Sequence, residues 1–372
     1  MGEFTLIDGF ADRGVFYDGY SWDYRETGFG LYRELEGSYD EPPWGWINYT
    51  QKVGRYGDYC AILPDPDMYY YGISLTGPWP LPAHKEWSGG VAINSTNVYT
   101  ILSCGAGYHK GPNIVVNAEG GIYIEREEEF SGHNVSIAVS EKQAIITNWN
   151  WHYVSWKFHC GDRNNDWIQV WIDGDLVIDI DHVTLNFVGE VEWIDFYFAN
   201  AIDDIWIRND ANMIPEPRIP AIFPSGNGDD SDGTPVGEST NYEAVNSFMQ
   251  DHVDGEGYGD PPVATGVMEG SWNVISLNEK DSFEMGKLSE QISAGTVHAL
   301  VARFLCMSEV GNTDQLRPYV IVDGNKYNGT AQSPTSDAYY EYIQHIWETN
   351  PDTSLPWTVA DIDAVQIGYE VV

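Results

Sequence analysis

The chain has 372 residues, 42% of them hydrophobic with 15 Trp and 24 Tyr, and a formal net charge of −39 from 57 acidic and 18 basic side chains. That length exceeds a comfortable single core and predicts two domains, and the apolar content is enough to pack them, which excludes a disordered chain. So acidic a surface excludes nucleic acid and anionic membrane as partners, since both need clustered Lys and Arg.

The opening MGEFTLIDGF shows no basic stretch followed by an apolar one, so no signal peptide is expected. No apolar run approaches the roughly 18 residues that cross a membrane. The first marked feature along the chain is MYYYGISLTGPWPLP (68–82), which sets Tyr69, Tyr70, Tyr71 and Trp79 near a proline-rich loop. Exposed aromatic plates stack on sugars or anchor a protein interface, and the alternative is that they pack the interior. Alternating segments then dominate: VSIAVS, AIITNWNWHYVSWKFHC, WIQVWI, LVIDI and VEWIDFYFA recur at short intervals between Gly, Asn and Asp turns. This is the pattern of an all-β sandwich. His159 beside Cys160 suggests a metal pair, but neighbours on a strand point to opposite faces. Cys60, Cys104, Cys160 and Cys306 lack any CxxC spacing and read as buried thiols.

The stretch IQVWIDGDLVIDID (168–181) carries Asp173, Asp175, Asp179 and Asp181. A two-residue Asp173-Gly174 turn would mix charged and apolar groups on both faces. A three-residue loop through Asp175 would pair Ile172 with Leu176, Val170 with Ile178 and Ile168 with Ile180, leaving one purely aliphatic face, so this register is expected. Asp179 and Asp181 then join Gln169 and Trp171 on the wet side. The ligand frame of a calcium loop is missing, and no metal or other cofactor is expected. Farther on, Glu190, Glu192 and Asp195 are the catalytic candidates, because alternate strand residues share a face at a separation that suits a carboxylate pair. Their spacing resembles the E-x-D-x-x-E of sandwich-fold glucanases with the middle Asp and final Glu exchanged.

After IDDIWIRND (202–210) the composition changes. IPEPRIPAIFPSGNGDDSDGTPVGEST (214–240) is rich in Pro, Gly, Ser and Asp and reads as an exposed linker. Strand signals resume in VHALVARFLCM, RPYVIVDG, AYYEYIQHIW and AVQIGYEVV, and Thr358 with Asp361 has capping-box spacing for a short helix at 359–364. The division is therefore a sandwich over 1–210, a linker over 211–240 and a smaller sandwich over 241–372.

WNWHYVSWKFHCGDRNNDWIQVWIDGDLV resembles the core of laminin-G or concanavalin-like jelly rolls. The wider frame opens with LIDGF, carries GRYG at 54–57, and ends in HIWETNPDTSLPWTVADIDAVQIGYEVV with Trp347, Thr349, Asn350, Pro351, Trp357, Thr358 and Asp361. It is similar to a family of tailed-bacteriophage virion proteins that join two such sandwiches. That resemblance implies a non-enzymatic structural component of the particle: a capsid decoration, a head fibre or a tail accessory. It implies other virion proteins as partners and self-association, as a trimer, and it supplies no catalytic residues. The rival readings are a carbohydrate-binding module that attaches the particle to host-surface glycan, and a glycan hydrolase on the same fold.

Overall fold

The computed structural model describes most of residues 84–245 and 272–372, with short pieces before them (4–8, 33–34, 48–50, 55–56, 60–62 and 72–74). The chain is all-β, built from β-sandwiches, and divides into two compact units, Met1–Ile219 and Pro220–Val372.

The first unit contains β1 (Phe4–Asp8), β2 (Arg33–Glu34), β3 (Asn48–Thr50), β4 (Cys60–Ile62), β5 (Gly72–Ser74), β6 (Glu86–Asn94), β7 (Tyr99–Ala106) and β8 (His109–Val116). It continues with β9 (Ile122–Glu127), β10 (Asn134–Val139), β11 (Trp151–His159), β12 (Asp166–Ile172), β13 (Asp175–Val183), β14 (Trp193–Tyr197) and β15 (Ala201–Arg208). One sheet has the order β13-β12-β11-β6-β15-β4-β3, with β1 also paired to β15. The other has the order β10-β9-β8-β7-β14-β5-β2. Alternation decides which side chains lie between them. In β12, Ile168, Val170 and Ile172 are buried, while Trp167, Gln169 and Trp171 are partly exposed. Trp156 of β11 meets Phe196 of β14 across the layer, with ring centroids 5.7 Å apart. The ring needs Gly89 beneath it, where a Cβ would sit 2.8 Å from Trp156 Cε2 and 2.9 Å from the Trp206 carbonyl oxygen.

The outer side of the same sheet is covered in part by the chain that leaves β15. Met213, Ile214 and Ile219 pack with Ala92, Tyr153 and Trp206. Arg55 of the GRYG motif locks this cover: its backbone N–H donates to Asp203 at 2.9 Å, and its guanidinium donates to Glu216 at 3.0 Å and lies 4.7 Å from the Tyr153 ring centroid.

In the second unit, β16 (Pro224–Ser231), β19 (Lys280–Met285), β24 (Gln366–Val371), β21 (Leu316–Val322) and β22 (Asn325–Asn328) form one sheet in that order. Two pairs complete it, β17 (Thr234–Val236) with β18 (Trp272–Val274) and β20 (Leu300–Cys306) with β23 (Glu341–Trp347). Phe283, Val320, Ile343, Trp347, Trp357 and Ile367 belong to its buried core. The terminal signature is a folding device. Trp357 Nε1–H donates to the Trp347 carbonyl at 2.8 Å, the buried Asn350 caps its turn by accepting from Asp352 N–H at 3.0 Å, and Thr358 with Asp361 forms the capping box of helix α1 (Val359–Ala364).

The exposed linker expected over 211–240 is corrected. Residues 213–219 cover the first unit's sheet, and β16 and β17 are paired strands of the second. PSGNGDDS has no apolar periodicity because side chains from neighbouring strands bond its backbone. Asp229 N–H donates to Gln366 Oε1 at 2.9 Å and Asp230 N–H to Ser282 Oγ at 3.0 Å. Gly228 permits that approach, since a Cβ there would lie 2.5 Å from Gln366 Oε1.

Candidate functional site

The aspartate-rich hairpin builds the site. Its turn is Asp173-Gly174, both at positive φ (51° and 80°), which pairs Ile172 with Asp175. The three-residue loop expected from the sequence is thus corrected to a two-residue turn. The expected pairs Val170–Ile178 and Ile168–Ile180 nevertheless form, because a bulge at Val177 shifts the register between turn and strand. Asp173 tolerates the left-handed backbone because its carboxylate is held, accepting from Tyr153 N–H at 2.8 Å and bonding His152 Nδ1 at 2.7 Å. Burial pushes its pKa up, but His152 and the Tyr153 amide outweigh that and leave it below the usual carboxylate range.

The bulge also changes the outer face. Leu176, expected inside opposite Ile172, pairs with Trp171 instead and is 46% exposed. Strand pairing sets three rows across β11, β12 and β13. His159 lies opposite Trp167, Lys157 opposite Gln169 opposite Asp179, and Ser155 opposite Trp171 opposite Leu176. The two indoles are carried four residues apart on one strand, a backbone spacing of about 13 Å. Between them runs a polar row. Gln169 Nε2 donates to Asp179 Oδ1 at 2.8 Å, and Lys157 Nζ lies 5.8 and 5.6 Å from the ring centroids of Trp167 and Trp171. Such cation–π contacts keep the ammonium beside both rings.

At the Trp167 end, the His159 ring stacks on the indole at 6.4 Å and 17° and bonds Asp162 at 2.8 Å. Lys85 Nζ bonds the same carboxylate at 2.5 Å. Lys85 first, then His159, holds Asp162 below the usual carboxylate range. Asp166 anchors the intervening loop, its buried carboxylate accepting from Asp162 N–H at 2.9 Å and Leu185 N–H at 2.8 Å. The result is a flat face with two aromatic ends and a hydrogen-bonding centre, suited to a ligand with apolar faces and polar edges.

The catalytic triplet expected from the sequence is not assembled as expected. Glu190 sits exposed in a bend before the isolated Val191–His84 bridge, and β14 begins only at Trp193, so Glu190 has no strand face to share. Asp195 pairs with Ser103 and Ser74 within the second sheet, and Glu192 lies outside the described residues. Tyr69, Tyr70, Tyr71 and Trp79 also lie outside them. Trp167 and Trp171 were missed as site residues. Their signal was WIQVWI itself, where Trp occupies both outer positions around a Gln. Cys160 is a buried free thiol, pushed up to about 12 by burial, while its neighbour His159 is on the outer face. Among the described residues, no group of three or more His, Cys, Asp or Glu side chains is placed to hold a metal ion.

No family model matches the chain, and no curated protein matches it. Solved structures similar to it include an endo-β-1,4-glucuronan lyase from Trichoderma reesei at 13% identity and TM-score 0.35, covering 55% of this chain and 95% of that one. Domain 4 of the extracellular arabinanase AbnA from Geobacillus stearothermophilus, in complex with arabinotriose, is similar at 17% identity and TM-score 0.37, covering 57% and 95%. The alginate lyase vAL-1 from Chlorella virus is similar at 7% identity and TM-score 0.31, covering 48% and 90%. The likeness is one of β-sandwich fold. The expectation of a non-enzymatic chain is corrected here, because the proteins it is similar to include polysaccharide lyases.

Proposed function

We propose that this chain is a glycan-binding protein whose ligand face is the outer side of β11, β12 and β13. One observation carries the reading: Trp167 and Trp171, both partly exposed, flank the hydrogen-bonding row Lys157–Gln169–Asp179. An indole stacks on the apolar face of a sugar ring, while amide and carboxylate groups between two indoles meet its hydroxyls. A glycan array probed with the full chain should give hits that Trp167→Ala and Trp171→Ala each weaken. Hits that persist in both variants would remove this face from the function. Assaying the bound polymers for sugar release shows whether cleavage accompanies binding.

The setting we propose is the surface of a tailed-bacteriophage particle, where such a face would attach the particle to its host. Support comes from the terminal signature, Trp347 to Asp361, and from the order of motifs along the chain. Mass spectrometry of purified particles should find the chain at many copies, self-associated as a trimer. Its absence from particles, with the protein left free in the lysate, would remove that setting without touching the glycan reading.

A further inference from the structure

Resting on the glycan-binding reading, we infer that the ligand is an uncharged, linear oligosaccharide laid along β12 and long enough to touch both indoles. The two indoles are carried at backbone positions about 13 Å apart along a single strand, and the Lys157 ammonium lies within 5.8 Å of both rings, so one sugar ring does not stack on both. A short saccharide therefore uses one indole, and a chain parallel to β12 uses two.

Charge settles the class. A polyuronate or sulfated glycan needs cations free to receive its anionic groups. Among the described residues, each basic side chain at this face except Lys157 is bonded to a carboxylate, and Lys157 shares its row with the Asp179 carboxylate. Lys85 bonds Asp162, and His159 bonds Asp162 and lies 3.5 Å from Glu86. His182 bonds Asp181 at 3.2 Å, and Lys157 lies against the two indoles. Asp179 and Asp175 are exposed beside them, so carboxylates outnumber cations where the ligand would lie. An anionic chain over Gln169 would meet the Asp179 carboxylate, and the −39 charge of the whole molecule adds long-range repulsion. A neutral sugar meets no such penalty. Its hydroxyls donate to Asp179 and accept from Gln169 and Lys157.

The test is calorimetric titration of the full chain, at low and high sodium chloride. The ligands are β-1,4-linked glucose, xylose and mannose oligosaccharides of two to six units, with oligouronates of matching length. Affinity for at least one neutral series should rise about tenfold once the chain spans both indoles, as expected for one added stacking contact. Salt should leave it unchanged. Trp167→Ala and Trp171→Ala should each return long ligands to short-ligand affinity, with Trp167→Phe and Trp171→Phe retaining most of the gain. Thermal melts of all four variants should match the parent, as both indoles are partly exposed. Tighter binding of oligouronates at the same tryptophans, weakened by salt, would overturn this inference and leave the glycan reading intact. No step in affinity with length would overturn it likewise. Failure of every glycan to bind, or binding indifferent to both Ala variants, would overturn the inference and the reading together.

Discussion

Adding one methyl group at Gly89 should strain the first unit where its two sheets are tied. A Cβ there would fall nearest to Trp156 Cζ2 and lie 2.8 Å from Cε2, so the ring must retreat by more than about 0.7 Å to regain an ordinary carbon–carbon separation of about 3.5 Å. It has nowhere to go, because Trp156 is fully buried and packed on Phe196. The glycine cannot move away either, with the Trp206 carbonyl 2.9 Å from the added carbon. Overpacking of this kind costs about 1–3 kcal/mol, and the upper part of that range applies when both neighbours are fixed. Replacing glycine in a strand returns roughly 0.5 kcal/mol, so Gly89→Ala should cost about 2 kcal/mol net. Trp156→Phe gives the control. Trp156 Nε1 is buried with no hydrogen-bond partner among the described residues, so the smaller ring sacrifices no bond. In urea unfolding followed by tryptophan fluorescence, the double variant should be about 1–2 kcal/mol more stable than the sum of the single changes predicts. Strict additivity, or a Gly89→Ala loss below about 0.5 kcal/mol, would refute the packing argument.

Other outcomes follow from polar groups. Asp210 is opposed by burial, yet the Arg208 guanidinium, bonded at 3.1 and 3.0 Å, and Asn212 hold its carboxyl below the usual range. Its stabilisation is therefore full above the unfolded pKa of about 3.9 and fades as pH falls through the lower folded value. Asp210→Asn should cost about 1 kcal/mol near neutrality and nothing in strong acid, and a pH-independent difference would count against the ion pair. Asp281 is fully buried and accepts from Gly233 N–H, Asn241, Asn273 and Tyr369 at 2.8–3.2 Å. Asp281→Asn turns an acceptor against these donors and should destabilise the second unit by about 2–3 kcal/mol in calorimetry; a loss under about 0.5 kcal/mol would contradict the network. Gly228→Val should detach β16 and open residues 224–231 to proteases that leave the parent uncut there, whereas an unchanged digestion pattern would show that the strand does not need the close approach.

The sequence displayed its strands plainly wherever apolar and polar residues alternate, as in WIQVWI and LVIDI. It also displayed the helix cap, since Thr358 and Asp361 act over three residues. It hid elements stabilised by partners distant in sequence. PSGNGDDS reads as a linker because its backbone bonds go to Ser282 and Gln366, more than 50 positions away. The hairpin was half legible: the aliphatic pairs fixed the register far from the turn, but no local rule placed the bulge at Val177. The face proposed for glycan escaped notice for a related reason. Alternation puts Trp171 and Gln169 on the wet side, but it does not show that Lys157 and Asp179, from the strands on either side, line up with Gln169 in one row between Trp167 and Trp171. Glu190 misled in the opposite way, because its spacing to Glu192 suggested a strand that begins three residues later.

Val177 makes the recognition surface separable from the scaffold. Ile168, Val170, Ile178 and Ile180 keep their partners whatever happens beyond the bulge, so the interior does not register changes near the turn. Deleting that one residue would remove the bulge and join the two stretches of ladder, leaving Trp171 opposite Leu176 and Ile172 opposite Asp175. The turn and the interior ladder thus meet at a single unpaired residue, and the length of the hairpin tip is adjustable there without disturbing the pairs on either side.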